Sequence, residues 1–422
     1  MTNDGIDRRE FLKGAAATAA LMFTADTFVA AAEETAEAVA PAGPPVKIGV
    51  IGAGQWGREI LTSLAKTTSA QTTAVCDTYQ PYLDRAKKVA PDAATFTEYA
   101  KLLESPEVEA VVIATPTHLH KDIALAAIQA GKHVYCEAPL AHTLEDAKAI
   151  ALAGKGSSKV FQVGLQGWSN ELYNHVEKFV RSSALGTPCQ VHGQYDRRTS
   201  WRRAAPSPER EQELNWRLSR STSPGLLGEA SIHQIDLTNR YLKALPVAVS
   251  GFGSIIEYND GRDVPDTVQC VLEYPNNVRM LVTATLVSSF SSDYTLFQGS
   301  KCSLLMRDTR GWMVKEADAE LLGWEVYAKK ETCFEETGIC MIAGATKILR
   351  AGKEPGEEGA PEPTKDPLVS ALEDFAKSVR DGSAPACGAV EGYQAAVCAI
   401  RANEAALAGN RIELPKESYD LA

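Results

Sequence analysis

The chain has 422 residues, is 45% hydrophobic and 23% charged, and carries a formal charge of −11. That length supports more than one hydrophobic core, and that balance is ordinary for a soluble protein. The negative charge, with no Lys/Arg block in the body of the chain, argues against nucleic acid or an anionic membrane surface as partner.

The first 40 residues read as an address rather than a fold. Arg8-Arg9 precede Phe11-Leu12-Lys13 and a small-residue apolar run broken by Asp26. This order resembles a twin-arginine (Tat) export signal and predicts a periplasmic or secreted protein. The run is too short to span a membrane. Residues 29–34 offer small-residue cleavage positions, and 40–45 (Ala-Pro-Ala-Gly-Pro-Pro) read as a stiff linker. The nine cysteines form no CxxC pair and the histidines show no zinc spacing, so no metal is expected. Export would permit one disulfide.

Residues 46–165 read as a dinucleotide-binding α/β domain. Val46, Ile48, Val50 and Ile51 make a strand, Gly52-Ala53-Gly54-Gln55-Trp56-Gly57 follows, and a helical pattern begins at once. A GxGxxG between strand and helix is the context this motif requires: a tight turn, close approach of pyrophosphate, close helix–strand packing. A second strand ends in Asp77, placed to bind the adenosine ribose hydroxyls and to repel a 2′-phosphate. NAD is therefore expected over NADP. Later strands end at Thr115-Pro116 and at Glu137-Ala138-Pro139, which puts Thr115, Pro116, His120, Glu137 and Pro139 on the cofactor side of a parallel sheet. His118 reads as a solvated helix-cap residue.

Residues 166–422 read as a second α/β domain. The stretch 186–198 predicts its first strand, and Asn276-Asn277 a hairpin turn. Between lies an arginine- and tryptophan-rich insertion, 197–229. Its Arg198, Trp201 and Trp216, with Tyr195 just before them, could present aromatic faces and forked donors to a sugar or an anionic group. The insertion could equally be a solvated loop paired with the acids of 209–213. In 228–242, Glu229, His233 and Asp236 fall at i, i+4 and i+7, one face of a helix. By itself this suits an amphipathic helix as well as a site. Residues 351–367 read as an exposed loop, and helices are expected over 367–382 and 391–409.

The order GxGxxG, second-strand Asp77, Ala-Thr-Pro-Thr-His-Leu-His (114–120), Gly-Lys-His-Val-Tyr-Cys-Glu-Ala-Pro (131–139) and Gly-Glu-Ala-Ser-Ile-His-Gln-Ile-Asp (228–236) resembles the Gfo/Idh/MocA oxidoreductases. The resemblance implies an N-terminal Rossmann domain and a C-terminal α/β domain with a large open, mostly antiparallel sheet. It also implies NAD, a carbohydrate substrate, and a homodimer or homotetramer formed through that sheet. His233 matches the family's general base, with Glu229 and Asp236 as its acidic neighbours, all three catalytic candidates. One departure is informative: the family's Glu-Lys-Pro is here Glu137-Ala138-Pro139, and a methyl group neither donates, accepts nor titrates. Three activities follow as expectations. They are a sugar oxidoreductase with a tightly held, internally reset NAD, a redox-neutral glycoside hydrolase in which Tyr195 or Glu229 assists elimination, and an inactive NAD-binding scaffold.

Overall fold

The computed structural model describes residues 43–182, 184–307, 309–326, 328–343 and 365–421. The segment expected to be an export signal, with its expected cleavage positions, and most of the expected 351–367 loop lie outside the described residues.

The first sheet has six parallel strands: β1 Val46–Ile51, β2 Ala70–Cys76, β3 Ala94–Phe96, β4 Ala110–Ile113, β5 His133–Glu137 and β6 Phe161–Gly164, ordered β3-β2-β1-β4-β5-β6. Every residue of β4 (Ala-Val-Val-Ile) is buried, as expected for a parallel strand covered on both faces. The strand order reverses between β1 and β4, and ligands of such sheets bind beyond the carboxyl ends at that switch point. Part of the cover comes from far along the chain. Helix Pro367–Asp381 lays Leu368, Leu372 and Phe375 on the core that holds Val46, Val50 and Ile60. Gln162 bonds the Ala371 carbonyl (3.0 Å), and Arg380 pairs with Glu109 (2.7 Å).

The second sheet has ten strands. They are β7 Pro188–Asp196, β8 Ala248–Ser254, β9 Thr267–Glu273, β10 Arg279–Thr285, β11 Asp293–Gly299, β12 Cys302–Arg307, β13 Arg310–Lys315, β14 Lys330–Cys333, β15 Glu336–Met341 and β16 Arg411–Glu413. Their order is β14-β15-β13-β12-β11-β7-β10-β9-β8-β16, and among the described residues only β7–β10 pair in parallel. Buried and half-buried residues alternate along β9, β10 and β11, so one face is covered and the other open. Helices Ile232–Leu242 and Ala389–Ala408 supply the cover. The β9–β10 turn carries Asn276 and Asn277 at φ 62° and 63°, the two left-handed residues of a tight hairpin. The α/β architecture agrees with the sequence expectation. A disulfide does not form: all nine cysteines are free thiols.

Candidate active site

The glycine loop has the shape a dinucleotide needs. Gly52 sits at φ +98°, and a Cβ there would lie 2.6 Å from the Ala114 carbonyl oxygen. A Cβ on Gly57 would lie 1.9 Å from the Gly52 oxygen, so only glycine lets the helix begin this close to β1. At Gly54, by contrast, an added Cβ meets nothing within 4 Å, leaving open space beside the helix N-terminus. Asp77 accepts from the Ala53 N–H (2.7 Å) and the Tyr79 N–H (2.8 Å), which fixes its carboxylate at the end of β2. Burial raises its pKa, against those two N–H groups. Across the switch point the Thr115 hydroxyl is buried with no partner among the described residues. The N-terminus of the glycine-loop helix, an oriented carboxylate acceptor and an orphaned hydroxyl together fit a dinucleotide.

The ends of β4 and β5 are tied together by one ring. His120 is 1% exposed, with Nδ1 3.0 Å from the Pro139 carbonyl and Nε2 3.0 Å from the Thr115 carbonyl. Both nitrogens are thus spent on the protein, and the expected cofactor contact gives way to a positioning role: His120 holds the two loops that floor the site, Thr115-Pro116 and Ala138-Pro139. The imidazolium would donate to both carbonyls, whereas the neutral ring has one N–H to give. Burial nevertheless wins and lowers the pKa to about 4. An unfolded histidine titrates near 6.5, so the stability contributed by the neutral ring is complete above that pH and is lost as pH falls toward 4, by about 3 kcal/mol. His120→Ala is expected to flatten this acid dependence in denaturant titrations. It should also cost roughly 2–4 kcal/mol at neutral pH from the carbonyl left unpaired and the cavity.

Glu137 ends β5 almost wholly buried. Gln166 reaches its two oxygens at 3.3–3.4 Å, and the indole of Trp56 in the glycine loop lies near enough to favour the charged carboxylate. Gly164 makes room, since a Cβ there would sit 2.5 Å from Glu137 Oε2. Burial raises the Glu137 pKa to about 7. Pro139 is buried beneath it, and Pro116 is half-buried at the end of β4.

The three helix residues do not act as one face. Leu227–Ser231 is a wide π turn that leads into the α-helix at Ile232, so Glu229 leaves the phase of His233. The Glu229 side chain is 3% exposed and accepts from Thr117 Oγ1 (2.9 Å), Arg217 Nε (3.3 Å) and Ser223 Oγ (3.4 Å). Burial raises its pKa and these donors oppose the rise. Asp236 is buried and accepts from Trp168 Nε1 (2.8 Å), with burial raising its pKa to about 7. It is held beside Trp168, and among the described residues no hydrogen bond joins it to His233, the base it was expected to assist. His233 alone is open. Its ring makes no hydrogen bond among the described residues, and the residue is exposed, with neighbouring protein desolvating the ring. That desolvation lowers its pKa to about 4, and the carboxylate that opposes the shift is Asp293. Asp293 opens β11 opposite Tyr195 of β7 and pairs with Arg197 (2.6 Å). Asp293 and its pairing with Arg197 were not legible in the sequence, because the β7–β11 register that joins them is set a hundred residues apart.

The insertion divides between the two readings. Arg202 pairs with Asp260 and Glu211, and Arg210 with Glu213, as a salt-bridged loop would. Arg217, however, lies 4.4 Å from the Trp216 ring centre and 5.9 Å from that of Trp201, with Nε on Glu229. Tyr195 is half-buried beneath Arg197 (5.5 Å), and burial raises its pKa. Trp201 and Trp216 thus flank a guanidinium docked on Glu229, while Tyr195 lies against Arg197. Arg198 does not join them: it is exposed and bonds the Val287 carbonyl, with Glu257 3.8 Å away. His118 is not a solvated cap. It is half-buried, its ring centre 6.2 Å from both Trp216 and His142. Gln55 also belongs to a partnership missed in the sequence, accepting from Arg203 of the insertion at 2.6 Å.

Known proteins place this arrangement. The family description "Oxidoreductase family, NAD-binding Rossmann fold" matches residues 46–165, and "GFO/IDH/MocA C-terminal domain" matches 173–305. A levoglucosan dehydrogenase of Pseudarthrobacter phenanthrenivorans is 25% identical over 356 residues, 76% of this chain and 84% of that protein. Inositol 2-dehydrogenase of Salmonella typhimurium is 30% identical over 195 residues, 46% of this chain and 53% of that protein. A solved levoglucosan dehydrogenase in complex with NADH and levoglucosan superposes with a TM-score of 0.71 at 21% identity, covering 88% of this chain and 100% of that one, a likeness of fold. With both domains matched in order and the NAD-binding loop intact, the chain belongs to the Gfo/Idh/MocA family of NAD-binding oxidoreductases.

Proposed function

We propose that this protein oxidises a CH–OH group of a sugar or glycoside with an NAD that stays bound and is reset within each catalytic cycle. The observation that carries the reading is the 2.9 Å bond from Thr117 to Glu229. It docks the start of the His233 helix on the loop that leaves β4, the nicotinamide side of a parallel sheet. Bound there, the nicotinamide supplies hydride acceptance and return. The chain supplies the rest. His233, neutral at pH 7 and open to the site, accepts the hydroxyl proton. Asp293 favours the resulting imidazolium. Glu229 is held by Arg217 and Thr117, and half-buried Trp201 offers an apolar face to a polyhydroxylated ring, backed by Trp216 and Tyr195 with the guanidinium groups of Arg217 and Arg197 over them. Ala138 leaves Glu137, with its pKa near 7, as the titratable group at the end of β5. The two named relatives dehydrogenate levoglucosan and inositol, both polyhydroxylated rings, which favours a substrate of that class.

Export through the twin-arginine signal belongs to the same proposal. Outside the cytoplasm a cofactor lost from the protein would have to be replaced from its surroundings, so retention and internal reset accord with export. Assembly into homodimers or homotetramers through the open sheet face is likewise proposed. The purified protein is expected to release NAD on denaturation. The near-ultraviolet band of NADH should appear when the loaded protein meets its glycoside and disappear when an oxidised sugar is added. NAD that no sugar in a broad panel reduces would point to a scaffold instead. Activity that vanishes on desalting and returns with added NAD would remove the retained-cofactor part.

A further inference from the structure

Residues 203–215 belong to the insertion of the second domain, yet both ends of this segment engage the dinucleotide-binding domain. At one end Arg203 donates to Gln55, the residue between Gly54 and Trp56 in the glycine loop (2.6 Å). At the other, the Arg210 guanidinium lies over the ring of Tyr79, 4.7 Å from its centre, two residues beyond Asp77. Asp77 itself feels both Arg210 and Glu213. The segment is tied into a closed unit: Asn215 accepts from the Arg203 N–H (2.7 Å) and donates to the carbonyls of Arg203 (3.0 Å) and Glu211 (3.1 Å). Pro206 and Pro208 stiffen it. Arg210 Nε is buried and has no acceptor among the described residues.

Gln55 marks the pyrophosphate position and Asp77 the adenosine ribose, so a segment touching the loop at both marks the outer edge of that half of the groove. We propose that residues 203–215 form a strap that retains the adenosine half of the cofactor, with Arg210 stacked on Tyr79 beside Asp77 and Arg203–Gln55 latching the pyrophosphate end. The Arg210 charge is paired with Glu213 (2.6 Å), so the strap adds no net site for a 2′-phosphate. It retains NAD without changing the preference set by Asp77.

The proposal rests on the retained-cofactor reading above, and one experiment separates the two. Protein loaded with NADH is mixed with excess NAD, and the decay of bound NADH fluorescence gives the release rate. The parent's own rate tests retention. The ratio of variant to parent tests the strap. Arg203→Ala with Arg210→Ala is expected to release NADH about tenfold or more faster, with the melting midpoint of the cofactor-free protein unchanged. Arg203→Ala and Gln55→Ala should be non-additive on that rate, since each removes the same latch. A ratio near one, or full additivity of the Arg203 and Gln55 effects, would overturn the strap even if the parent retains its cofactor. A fast parent that is faster still in the double variant would sink retention and leave the strap standing.

Discussion

Replacing His233 with alanine is expected to lower turnover by roughly 10²–10⁴-fold, the usual contribution of a positioned general base. The cofactor should be unaffected, because the ring makes no hydrogen bond to the glycine loop or to any other described residue. The pH profile adds a signature that mere structural damage would not reproduce. A base must be neutral to accept a proton, so activity is lost as pH falls through its pKa. Desolvation places that pKa at about 4 rather than near 6.5, and the acid limb should therefore lie well below that of an ordinary histidine enzyme. Asp293 holds the pKa up, so Asp293→Asn should move the limb lower still. Equal turnover in His233→Ala and parent would remove the assigned base.

The parts of this site that could be read in the sequence are those whose physics is local. A strand followed by GxGxxG and a helix needs no distant partner to be recognised, and the steric limits at Gly52 and Gly57 follow from that short stretch alone. The Asn276-Asn277 turn is of the same kind. Helical spacing was a poorer guide where the helix is not regular. The π turn at Leu227–Ser231 sends Glu229 toward Thr117 and Arg217, while Asp236 turns into the core beside Trp168. A heptad-like count from 229 to 236 cannot detect an added residue in one turn. Long-range pairings were legible least of all. Arg203–Gln55, Thr117–Glu229 and Arg197–Asp293 each join segments about a hundred residues or more apart. Each depends on how the insertion and the second sheet settle against the first domain. The helix Pro367–Asp381 makes the same point for the core, since it completes a sheet whose last strand ends two hundred residues earlier.

The two glycines that flank the phosphate site should respond in opposite ways to the same methyl group. Gly54 has φ −60° and ψ −162°, a conformation open to alanine, and its Cβ would meet nothing within 4 Å. Gly54→Ala should thus leave the cofactor-free protein within about 0.5 kcal/mol of the parent. The new methyl group stands where pyrophosphate must approach the helix N-terminus, so NAD binding should weaken by at least about tenfold, or ~1.4 kcal/mol. Gly57→Ala forces its methyl into the Gly52 carbonyl and should destabilise the cofactor-free protein itself by about 2–3 kcal/mol. Thermal melts with and without NAD separate the cases. Ligand that binds only the folded state raises the midpoint of the parent. Gly54→Ala should start at the same midpoint and gain little from NAD, and Gly57→Ala should start lower. If NAD raised the midpoint of Gly54→Ala as much as that of the parent, the dinucleotide would not lie on this loop, and the positions argued for His233, the strap and the tryptophans would lose their common reference.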